Sequence, residues 1–143
     1  MRGRSLMIGL LVFTAVFAAA LWYALNYAYF EQFTVNQVEI AGELYDVSNF
    51  EGIDATSSPL HLRACFRLSR PVEAPIAEMP TPLVGPGWFE CFDAEAIDNA
   101  LESGAAVAYL ASAETAAGVD RIVAVYPDGR AFMWRQLNEK FRE

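Results

Sequence analysis

The chain has 143 residues, 55% of them hydrophobic, and its 18 acids against 10 lysines and arginines give a formal net charge of −8. That balance disfavours a nucleic-acid partner, whose affinity rests on cationic contacts to phosphate, and it argues against the chain lying flat on anionic lipid. With one histidine and two cysteines, a zinc or copper site of ordinary composition is excluded, since His61, Cys65 and Cys91 make a three-ligand set at best.

The chain opens on Met1-Arg2-Gly3-Arg4, and from Ser5 to Phe30 it carries no charged side chain. At about 1.5 Å per residue, a helix of that length crosses the roughly 30 Å hydrocarbon core of a bilayer. Trp22, Tyr23, Tyr27, Tyr29 and Phe30 crowd its far end, where amphipathic rings sit at the headgroups, and Asn26 is its one strongly polar residue. Arg2 and Arg4 on the short side predict a cytoplasmic N-terminus and place everything from Glu31 onward outside the cytoplasm. A cleaved signal peptide is the competing reading, with Leu6 to Ala15 as its apolar core and Ala18-Ala19-Ala20 as its small-residue site. The apolar run continues past Ala20 through Leu25, which favours a retained anchor. Ala15, Ala18 and Ala19 are the positions expected to face another helix, because small side chains let helix backbones approach closely in lipid.

Residues 31–143 are enough for one domain with one core. Without Arg2 and Arg4 this part holds 18 acids and 8 bases. Such a surface is suited to steering a basic protein towards it, or simply to keeping the domain soluble. Phe33 to Ile40, with Val38 and Ile40 alternating with polar neighbours, reads as a first strand stopped at Ala41-Gly42. Glu43 to Ser58 reads as polar and turn-rich. From Leu60 to Ser69 the period is two: Leu60, Leu62, Ala64, Phe66 and Leu68 fall on one face, and His61, Arg63, Cys65, Arg67 and Ser69 fall on the other. The second face is expected to point away from the core.

Arg70 to Gly87 holds Pro71, Pro75, Pro80, Pro82 and Pro86, too closely spaced for a helix or a central strand. It reads as a long extended crossing, a kind of loop that often meets partners, and Pro80, Pro82 and the following Trp88 are the partner-facing candidates. Asp93 is a natural N-cap for a helix over Ala94 to Ser103, stopped by Gly104, with Ile97, Ala100 and Leu101 as its buried stripe. Ala105 to Ala111 suits a short buried strand, and Ala113 to Gly118 a turn or brief helix. Arg121 to Tyr126 and Ala131 to Leu137 form a hairpin around Pro127-Asp128-Gly129-Arg130, since Pro fixes φ and Gly accepts the left-handed position. The last residues, Asn138 to Glu143, read as a charged, frayed end.

Outside the cytoplasm, Cys65 and Cys91 are expected to form a disulfide. Its loop of about 25 residues would contribute roughly 3 kcal/mol. The alternative is a reactive thiolate at Cys65, whose pKa Arg63 and Arg67 would lower. There is no CxxC or CxxCH motif, glycine-rich phosphate loop, nucleophile elbow or HExxH helix, and no acid pair stands out for acid–base work. No catalytic residue, metal or cofactor is therefore expected.

Four stretches carry a resemblance: Phe50 to Ala55 (FEGIDA), Arg63 to Phe66 (RACF), Gly85 to Asp93 (GPGWFECFD) and Val123 to Ala131 (VAVYPDGRA). Together, over nearly the whole chain and anchor included, the sequence resembles an uncharacterised alphaproteobacterial family of single-pass membrane proteins, classed as a domain of unknown function. The resemblance implies a Gram-negative inner membrane and a periplasmic domain, and it implies no activity and no site residues.

The expected architecture is thus α+β: a transmembrane anchor over residues 1–30, then a periplasmic domain over 31–143 with a mainly antiparallel sheet of about four to six strands and one packed helix. The expected role is non-enzymatic, as an accessory or assembly subunit of a larger inner-membrane complex. A respiratory complex, a haem-copper oxidase or bc1-type assembly, is favoured because an acidic periplasmic face suits a basic c-type cytochrome. The expected partners are therefore subunits of that complex and the lipid bilayer. The alternative is a membrane-tethered thiol-redox or metal-delivery protein using Cys65 and Cys91.

Overall fold

A computed structural model of the chain describes residues 2–25, 30–55 and 58–138. Asn26, Tyr27 and Tyr29 of the expected anchor, and Glu139 to Glu143 of the expected frayed end, lie outside the described residues. Helix α1, Gly3–Tyr23, has 21 residues and none of them is buried. It is long and apolar enough to cross a membrane, a property that a signal sequence near the N-terminus shares.

The other described residues form seven strands and one helix: β1 (Glu31–Phe33), β2 (Gln37–Ile40), β3 (Glu43–Asp54), β4 (Arg63–Leu68), α2 (Ala94–Ser103), β5 (Val107–Ala116), β6 (Val119–Val125) and β7 (Arg130–Leu137). Every strand pair is antiparallel. The order is β1-β3-β4-β7-β6-β5, with β2 also on β3. The α+β architecture with an antiparallel sheet and one further helix is as the sequence predicts, with one strand more than the expected range.

That strand comes from the N-terminal segment, which breaks in two. β1 pairs with the far end of β3 and β2 with its near end, through a two-residue turn at Ala41 and Gly42. Both turn residues have positive φ, 53° and 85°, as a tight type I′ hairpin requires. Glu43 to Asp54 is the longest strand in the protein rather than a turn-rich segment. Its period-two pattern is hidden because the register shifts between Ser48 and Glu51, where Asn49 has a φ of 53°. A bulge of this kind moves every later side chain to the opposite face and bends the strand. Beyond it, Gly52 lies under the rings of Phe33 and Phe50, where an added Cβ would come within 2.8 Å of Phe33 and 2.7 Å of Phe50.

The bend lets the sheet coil until its margins meet: the Ala41 N–H, at the end of β2, donates to the Ala111 carbonyl of β5 at 2.7 Å. The enclosed inner face packs Val38, Ile40, Tyr45, Phe66, Val123 and Met133 together. The outer face carries a second cluster that includes Cys65, Ile122 and Trp134, covered by Phe89, Phe92 and Ile97 of α2. β4 is therefore buried on both sides. Leu62, Ala64 and Phe66 face inward as the period predicts, but the Cys65 face does not point to solvent, and the strand starts at Arg63 rather than Leu60.

The helix α2 has the predicted bounds. Asp93 caps it by accepting from the Ala96 N–H at 3.1 Å, and Gly104 closes it with a φ of 82°. Residues 113–116 continue β5 to a turn at Ala117 and Gly118, correcting the expected turn or brief helix.

Candidate functional site

Between β4 and α2 the extended chain first packs Val72 and Ala74 on the inner cluster and then crosses the outer face at Ala77 and Leu83, and a regular set of hydrogen bonds fixes it. The Glu73 N–H donates to the Tyr45 hydroxyl at 3.0 Å. Pro75 accepts from the Leu110 N–H at 2.8 Å, and the Ala77 N–H donates to the Ala108 carbonyl at 3.0 Å, so the crossing adds briefly to the edge of β5. Farther on, Gln136 Nε2 donates to the Met79 carbonyl at 2.8 Å, and its Oε1 accepts from the Thr81 N–H at 2.7 Å. Finally Arg63 donates through Nε to the Leu83 carbonyl at 2.8 Å and through Nη2 to the Val84 carbonyl at 3.1 Å. The bonded residues up to Leu83 are all odd-numbered, as extended backbone requires when alternate residues turn their polar groups to one side. Pro80 and Pro82 fall on the even positions, where no N–H is needed.

The two polar pins are buried. Arg63 is 6% exposed, and its Nη1 also donates to the Leu60 and Leu62 carbonyls at 2.6 and 2.7 Å. Burial lowers its pKa to about 10, with Asp54 acting in the opposite direction, so the guanidinium stays charged at neutral pH. A buried charge is costly unless it is fully hydrogen-bonded, and the carbonyls of four residues supply those bonds here. Gln136 is likewise buried, and its Oε1 also accepts from Trp134 Nε1 at 2.9 Å. Gln136 interrupts an apolar stripe, whereas Arg63 stands on a mixed face with His61, Arg67 and Ser69. Gln136 follows Phe132 and Trp134 at period two, and Arg63 shares the face of Cys65. The interruption at Gln136 is a sequence signal that could have found that pin; nothing on the face of Arg63 distinguishes it from Arg67.

The disulfide Cys65–Cys91 spans a Cα–Cα distance of 6.2 Å and ties β4 to the segment that enters α2. Cys65 is buried in the outer cluster, so the arginines beside it do not flank an exposed thiol. The His61 ring is tilted 43° to that of Phe30, with centroids 5.3 Å apart, and among the described residues no three His, Cys, Asp or Glu side chains gather.

The partner-facing candidates divide on this frame. Pro80 and Pro82 are half-buried. Trp88 is also half-buried, edge-on to Phe30 and Phe89 with both centroid distances 6.2 Å, and packs on the outer cluster. The residues that stand out from the crossing are Ile76, Met79 and Val84, which are 67%, 61% and 83% exposed. Beside Ile76 and Met79 runs a groove of about 490 Å³, lined also by Leu110, Glu114, Asp120 and Ile122. Sequence reading missed these three, and no local pattern among the prolines distinguishes their outward side chains. On α1, Ala15, Ala18 and Ala19 are all exposed and meet no other part of the described chain.

No curated protein and no solved structure matches the chain. A family profile does, over residues 32–143, beginning within β1 and covering the rest of the sheet, the crossing and α2. The chain belongs to that family, a family of unknown function designated DUF6446.

Proposed function

We propose that the protein is a non-enzymatic accessory or assembly subunit of a larger inner-membrane complex, anchored by α1 with its N-terminus in the cytoplasm and residues 31–143 in the periplasm. The observation that carries this reading is the display of Ile76, Met79 and Val84 on a backbone already pinned by Arg63, Gln136 and the edge of β5. Apolar side chains exposed on an ordered backbone dock with little further loss of conformational freedom, which is the condition for a binding surface. The exposed small side chains of α1 supply a second contact within the bilayer, and Arg2 and Arg4 support the orientation. A respiratory complex is the narrower version of the proposal, supported by the acidic charge of the domain beside basic c-type cytochromes.

The test is purification in mild detergent through a tag after Glu143. Companion subunits should be recovered in fixed proportion, and Ala15→Leu with Ala19→Leu should release them without changing the melting of the outer domain. Recovery of the protein alone from the unsubstituted chain would overturn the proposal.

A further inference from the structure

The crossing and α2 cover the same face of the sheet: Ala77 and Leu83 pack with Ala94, Ile97 and Leu101 on one cluster. This covering layer has an uneven charge. From Pro71 to Asp120 the sequence has nine acids and no lysine or arginine. On α2 the acids Glu95, Asp98 and Glu102 recur at helical spacing opposite Ile97, and all three are exposed. The ion pairs among the described residues are Arg70–Glu43, Arg130–Asp128 and Arg135–Asp54, so Glu95, Asp98 and Glu102 have no ion-pair partner among the described residues.

Building on the reading above, we infer that the occupant of this face is a cationic surface of a partner protein, which seats apolar side chains against Ile76, Met79 and Val84 and lays lysines or arginines along Glu95, Asp98 and Glu102. The apolar residues alone would accept many surfaces. Unpaired acids exclude an acidic partner, because like charges brought together across an interface are repelled, and they favour a basic one by steering and register. An anionic lipid surface is excluded by the same sign. The contact is one of shape and charge, with no chemical step.

The experiment places a photo-crosslinking amino acid at Ile76, Met79 or Val84 of the full chain in native membranes, with Leu44 on the β2–β3 hairpin (60% exposed) as control. The partner peptide in each adduct is then sequenced. Adducts are expected at the three crossing positions and not at Leu44, on a peptide rich in lysine and arginine. Their yield should fall about 10-fold between about 0.05 and 0.5 M salt, as screening shortens the reach of charge. It should fall similarly in the variant Glu95→Gln, Asp98→Asn, Glu102→Gln, and the salt series on the unsubstituted chain keeps the test valid if that variant melts early. Adducts on a neutral or acidic peptide, or yields indifferent to both salt and the variant, overturn the inference while leaving the accessory role standing. No adduct at any crossing position, together with recovery of the protein alone, overturns both.

Discussion

The inner face of the sheet is closed mainly by the sheet itself, because the bend in β3 brings β2 round to β5 and strands supply most of the inner cluster, with Leu62, Val72 and Ala74 added from outside the strands. The outer face is closed by chain that belongs to no strand: the crossing, the disulfide-bearing segment and a ten-residue helix. Hydrophobic burial is non-directional, so the inner face needs only apolar side chains at period two. An extended crossing has no hydrogen bonds of its own and must borrow directional partners, here Arg63, Gln136, Tyr45 and the edge of β5. The inner face is thus a shared core, whereas the outer layer is an attachment that can be loosened separately.

The strongest way to break this contrast is in the shared core. Phe66 is buried among Phe50 and the other inner residues, with ring centroids 5.6 Å from Phe50. Phe66→Ala should lower stability by about 3–5 kcal/mol, and both faces should unfold together in one denaturant transition. Two separated transitions would show that the inner face is not shared. A smaller effect is expected from the bridge. Cys91→Ser should cost roughly 3 kcal/mol through its loop of about 25 residues, and amide exchange should rise first in α2 and the crossing while Ala64 and Val123 stay protected. An unchanged melting temperature would count against the bridge. The smallest change sharpens the picture: Gln136→Ala takes their Gln136 partner from the Thr81 N–H and Trp134 Nε1 and leaves the Met79 carbonyl with the Thr81 hydroxyl as donor, at about 1–3 kcal/mol. Thr81 should then exchange faster with no change in the amides of β6.

The same two faces separate what could be read from the sequence. Local chemistry was legible: Asp93 and Gly104 bound α2, Pro127-Asp128-Gly129 makes the last hairpin, and Cys65 pairs with Cys91. Leu62, Ala64 and Phe66 announce the inner face through their period. The polar-looking face of β4 is misread because two of the four carbonyls that satisfy Arg63 come from distant Leu83 and Val84, which also cover it. β3 was missed because the bulge at Ser48 to Glu51 breaks its alternation. The outward side chains of Ile76, Met79 and Val84 were illegible because the crossing takes its register from Ala108, Leu110 and Gln136, which come later in the chain.

The short pairing of residues 75–77 with β5 has a bearing on how copies of this protein meet. A sheet's last strand offers unpaired N–H and C=O groups on which another chain can grow. Here β5 is already occupied, in part, by a segment in which Pro75 has no N–H to offer and Pro80 and Pro82 repeat the defect a few residues on. At the opposite margin β1 is only three residues long. On the same margin the end of β2 is turned to β5, with the Ala41 N–H on the Ala111 carbonyl, so short strands, a proline-bearing segment and the closed seam all disfavour strand-by-strand growth between copies.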